Sequence, residues 1–159
     1  MTIVKEVNDT VYKVIGSCMD VQRTLGPGYP IELYRKALEI EFKEKEMTYE
    51  LTKIVKVTYK DIEVGEVMID FLVNEKVIVS IRVQPDLTDF DIQQCLRYLK
   101  LVDSPIGILV SFGSVKINYR RILPSRPENK EIRREALRPL GYREMTREMG
   151  RLRDQNPTY

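Results

Sequence analysis

Residues 66–83 read EVMIDFLVNEKVIVSIRV, two β-forming runs joined by the polar link Asn74-Glu75-Lys76. The stretch from Val77 to Val83 is β-branched on both faces, as a strand buried in the middle of a sheet would be. A three-residue turn at the link sets Val73 opposite Val77, and therefore Asp70 opposite Ser80 and Met68 opposite Arg82, because paired residues share a face. Asp70 and Arg82 are then expected to be diagonal neighbours on a face otherwise lined by Met68, Leu72 and Ile78. A carboxylate among such residues needs a partner, since an isolated buried charge costs several kcal/mol. The pattern admits two readings, a structural ion pair and a functional site.

Outward from this pair, the flanking segments complete a domain. On the N-terminal side Tyr49 to Tyr59 is a further β-forming run, closed by a Lys60-Asp61 turn and followed by Gly65. Before it, Val4, Val7, Val11, Val14, Cys18, Val21 and Leu25 alternate steps of three and four, the period of one helix face. That helix ends at Gly26-Pro27-Gly28, and Pro30 opens a second, reaching about Glu46. On it Leu33, Ala37, Ile40 and Glu44 share a face, with Tyr34, Leu38 and Phe42 beside them. On the C-terminal side Thr88 is placed to cap a helix from Asp89 to Val102, striped by Ile92, Leu96 and Leu99. IGILVSF (residues 106–112) is a fourth strand, and Gly113-Ser114 turns it into a fifth, Val115 to Ile122. The expectation is an α/β domain, residues 1–123, with a mixed sheet of about five strands in the order ααβββαββ.

The 159 residues suffice for one ordinary domain with attachments. With 43% hydrophobic and 31% charged residues, disorder and a disulfide scaffold are both excluded. No stretch approaches the roughly 20 apolar residues of a membrane span, and charges interrupt the first residues where a secretory signal needs an apolar run, so a cytoplasmic protein is expected. Cys18 and Cys95 lie in apolar helical patterns and read as buried thiols. Histidine is absent, which removes His-based triads, His general bases and imidazole zinc sites.

Charge is divided unevenly along the chain. Up to Tyr119 there are 15 basic and 18 acidic residues, and beyond it 11 basic and 6 acidic, ten of the cations being Arg. We place a module boundary near Leu123, leaving residues 124–159 as a basic helical extension. There Ser125 with Glu128 fits a capping box for a helix that Pro139 stops, and Tyr142, Met145, Met149 and Leu152 suggest a second amphipathic helix. Arg143, Arg147 and Arg151 form a cationic row on it. Two readings fit: a strip binding DNA or RNA phosphates or docking a partner, and a solvated face paired with Glu144 and Glu148.

In order along the chain stand Arg23-Thr24-Leu25-Gly26-Pro27-Gly28, Tyr34, the Tyr59-Lys60-Asp61 turn, Asp70, the apolar strand after it, Gln94, Tyr98-Leu99-Lys100 and Phe112-Gly113. Over roughly residues 8 to 122, these motifs resemble the GxxExxY proteins of the PD-(D/E)XK nuclease superfamily. The resemblance implies a restriction-endonuclease-like fold. It also implies a site in which a helix Glu, a strand Asp and a strand Glu hold Mg, with a Lys beside them. In this chain Ile31 stands at the helix Glu, Ser80 at the strand Glu and Arg82 at the Lys, leaving Asp70, Tyr34 and Gln94; Gln22 stands where the family often has His. Glu32 is turned about 100° away on its helix, and Glu66 lies roughly 13 Å along the strand from Asp70. One carboxylate is a poor cage for a hard dication.

The sequence therefore points to a catalytically degenerate nuclease-fold protein with no cofactor, which binds nucleic acid or a protein partner. An active Mg-dependent nuclease with an altered or subunit-shared site is one alternative. A dimerisation or scaffold module, in a homo- or hetero-oligomer, is the other.

Overall fold

In the computed structural model of the chain, residues 2–124 are described. Helix α1 (Thr2–Leu25) buries Val7, Val11, Val14, Cys18 and Val21, the residues that its three-and-four spacing brings onto one face. It stops at Gly26 and Gly28, both with positive φ (70° and 111°), backbone that glycine adopts without strain. Helix α2 (Ile31–Glu44) begins after Pro30 and ends slightly before the point that the sequence suggested. Its buried face is Tyr34, Leu38 and Phe42, while Leu33 and Ile40 are exposed.

Strands β1 (Tyr49–Tyr59) and β2 (Ile62–Val73) form a long hairpin around a two-residue loop, Lys60-Asp61, both left-handed as the twist of such a hairpin favours. β3 (Val77–Arg82) follows antiparallel, with Val73 opposite Val77 as the link length predicts. Helix α3 (Asp89–Val102) starts with a capping box in which the Thr88 hydroxyl accepts the Asp91 amide and the Asp91 carboxylate accepts the Thr88 amide. It carries the chain across to β4 (Ile106–Ser111), parallel to β3, and β5 (Asn118–Ile122) returns antiparallel. The fifth strand starts three residues later than the periodicity suggests, because residues 114–117 are spent in the turn.

The sheet order is β1-β2-β3-β4-β5. Side chains of β3 and β4 alternate between two cores: Val77, Val79, Ile81, Ile106, Ile108 and Val110 pack with α1 and α2, whereas Ile78 and Leu109 pack with α3. This is the pattern of strands covered on both faces, each buried Val or Ile contributing about 2 kcal/mol. Among the described residues no helix is long and apolar enough to cross a membrane. The basic extension, with Arg143, Arg147 and Arg151, lies outside the described residues.

Candidate functional site

The expected Asp70 to Arg82 pair does not form. Alternation breaks where β2 passes Asp70: Ile69 and Leu72 pack toward α3, but Phe71 packs with α1 and α2, and Asp70 reaches α2 as well. The β2–β3 ladder ends at Phe71 opposite Val79, and the Asp70 carboxylate enters the gap beyond it, where Oδ2 accepts the Ile81 amide at 2.9 Å. Ser80 and Arg82 continue the regular alternation of β3 and face α3 instead. A break of one residue in β2 thus separates two side chains that unbroken strands would have placed together.

Asp70 is satisfied by Arg35. The guanidinium donates from Nε at 2.9 Å and Nη2 at 2.7 Å, both to Oδ1, in a pair whose side chains are 18% and 9% exposed. Arg35 follows Ile31 by four residues on α2, so it projects from the same face one turn on. A fixed cation therefore stands against the Asp70 carboxylate. Sequence reasoning missed Arg35, although its helical spacing from Ile31 was a signal that could have found it.

Arg82 belongs to a second cluster. Its Nε donates to Asp91 Oδ1 at 3.0 Å, its Nη1 to its neighbour's carbonyl on Ile81 at 2.8 Å, and its Nη2 to Gln94 Oε1. The structure thus brings Arg82 and Gln94 together, and adds Asp91, which the T-x-x-D spacing from Thr88 could have flagged. Asp91 also accepts Gln84 Nε2 at 2.6 Å and both the amide and the hydroxyl of Thr88 at 2.9 Å. Burial alone would raise its pKa, but the Thr88 amide, the Arg82 guanidinium and the Thr88 hydroxyl outweigh it and hold the carboxyl below its ordinary value. Ser80 lies beside Cys95, whose thiol burial pushes up to about 12 against the opposing influence of Ser80 and Arg82. Burial also raises the Tyr98 phenol, which feels the charges of both Arg82 and Asp70.

Tyr34 stands apart from both clusters. Fully buried, it stacks on Phe112 with centroids 4.6 Å apart, donates its hydroxyl to the Gly26 carbonyl at 2.5 Å and accepts the Tyr29 amide at 3.3 Å. It clamps the Gly-Pro-Gly turn onto the sheet. Gln22 donates to the Ser114 carbonyl in the loop after β4, and its buried Oε1 has no partner among the described residues.

These residues do not fit a divalent cation. Asp70 is engaged by a guanidinium and an amide, Ile31 offers no donor, and Ser80 turns to Cys95. Among the described residues no group of three Cys, Asp or Glu side chains could hold a metal ion.

The chain is similar to the crystal structure of SSO0001, with 17% identity and a TM-score of 0.45 over 64% of this chain and 54% of that one. It therefore spans about half the length of that protein. It is also similar to an alkaline exonuclease, LHK-Exo, from Laribacter hongkongensis, with 15% identity and a TM-score of 0.46 over 80% of this chain and 72% of that one. No curated protein sequence matches the chain. A family model does match residues 8–122, the span from the first half of α1 to the end of β5, and by that match this chain belongs to the PD-(D/E)XK nuclease superfamily.

Proposed function

We propose that this is a nuclease-fold protein that has exchanged metal-dependent cleavage for binding of nucleic acid. The observation that carries the reading is the Arg35 guanidinium on Asp70. In a metal-dependent site a carboxylate exists to hold a cation that activates water and neutralises the scissile phosphate. Arg35 supplies the charge but holds no water and lowers no water pKa. With Ile31, Ser80 and Arg82 at the other positions, no carboxylate remains to recruit an ion in its place.

Binding is assigned to the basic extension on charge grounds. The chain up to Tyr119 carries a net negative charge, which repels a phosphate backbone, whereas the remainder is strongly positive and bears Arg143, Arg147 and Arg151. Three engaged arginines contribute about 2.7 to the slope of log affinity against log salt on duplex DNA. Two measurements test the reading. Purified protein incubated with single- and double-stranded DNA and RNA in Mg or Mn should leave them intact; cleavage abolished by Asp70→Ala would restore the nuclease alternative. Salt-dependent binding should lose about that slope on charge reversal of the three arginines. No binding by the whole chain at low salt would leave the scaffold reading in place.

A further inference from the structure

The β1–β2 hairpin outruns the sheet. β3 pairs with β2 only at Phe71, Leu72 and Val73, so the stretch from Ile54 to Met68 is a two-stranded ribbon with no third strand among the described residues. Such ribbons are marginal in water without cover. One face is partly protected, since Val55 packs toward α3. The other is bare: Ile54 is 55% exposed, and its cross-strand partner Met68 42%. One level further out, Lys56 stands opposite Glu66 on the same face.

We propose that this face is an interface between two copies of the chain, related by a twofold axis running along the ribbon between its strands. Such an axis exchanges the two strands at each level. Ile54 of one copy then lies over Met68 of the other, and Lys56 of one copy over Glu66 of the other, each contact made twice. An unlike apolar pair and an opposite-charge pair at consecutive levels are what an isologous face needs to be complementary to itself. Within one chain the charges are poorly matched: Lys56 leans to Glu63 at 3.6 Å in an exposed pair, and Glu66 makes no ion pair among the described residues. Aligned packing of two such faces is the ordinary geometry of stacked sheets. The interface ends two residues from Asp70, so a second copy would border the Arg35–Asp70 cluster.

The test uses the full chain and two charge-reversal variants, Lys56→Glu and Glu66→Lys, with sedimentation as the readout and circular dichroism to show that each is folded. Wild-type protein should dimerise. Each variant alone sets like charges opposite one another twice, and its dimerisation should weaken roughly tenfold or more. Mixed together, the two variants should form a heterodimer, because one then carries acidic side chains at both positions and the other basic ones, so that opposite charges meet at both contacts. A monomeric wild type overturns the proposal. Variants that dimerise as well alone as mixed overturn it too.

Discussion

At the scale of single residues, the Arg35–Asp70 contact makes its own prediction. Removing either partner leaves a largely buried charge uncompensated, so Asp70→Ala should destabilise the fold by about 2 kcal/mol, the partial exposure of Arg35 softening the loss. A double-mutant cycle read by urea denaturation should show coupling between Asp70 and Arg35 and none between Asp70 and Arg82. Asp91 adds a pH dependence. Its folded pKa lies below the unfolded value near 3.9, so its stabilisation is complete above that value and is lost as pH falls through the folded one. Wild-type protein should therefore lose stability in acid from about pH 4 downward. Asp91→Asn should be less stable by roughly 1–3 kcal/mol at neutral pH and show a shallower acid slope. An unchanged acid slope in thermal melts would remove Asp91 from this role.

At the scale of elements, sequence periodicity located the helices and strands because burial and period are the same property seen twice. Val7, Val11, Val14, Cys18 and Val21 face the core since their spacing allows nothing else, and Val73 meets Val77 because the link between them is short. The candidate site was less legible. The resemblance singled out Asp70, Arg82, Gln94, Ile31 and Ser80, but their partners depended on a local break at Asp70–Phe71 that β-forming residues do not announce. Thr52, in β1 across from this region, has a positive φ of 50°, the mark of the same irregularity. Tyr34 shows the converse: a residue that the resemblance singled out, whose contacts hold one element on another. Tyr34→Phe keeps the stack on Phe112 but strands the Gly26 carbonyl and the Tyr29 amide, and should cost about 1 kcal/mol in a thermal or chemical melt. Gly113→Ala should cost more, because a Cβ there would come within 2.3 Å of the Gln84 backbone.

At the scale of the whole molecule, the fold and its family are one statement, and the proposed departure from metal chemistry can be tested by substitution. Ile31→Glu, Ser80→Glu and Arg82→Lys together leave Arg35 on Asp70, so they should not suffice for metal binding measured by calorimetry with Mn. Adding Arg35→Ala should not bring binding either, because Ser80 and Arg82 face α3 whereas Asp70 reaches α2; Mn binding by the folded quadruple variant would show that these positions converge after all. The one parallel pairing among the described residues, β3 with β4, bears on how the chain assembles. The β1–β2 hairpin is local and closes on a scale of about 1–10 µs, but β4 has no place until α3 has crossed the sheet. Until then IGILVS, buried along its whole length in the finished molecule, is a sticky segment with two open edges. Refolding yield should fall as protein concentration rises. Thr88→Ala, which weakens the start of α3 by about 1 kcal/mol, should deepen that loss, whereas Asp61→Gly in the hairpin loop, where Gly suits the left-handed backbone, should leave the yield unchanged.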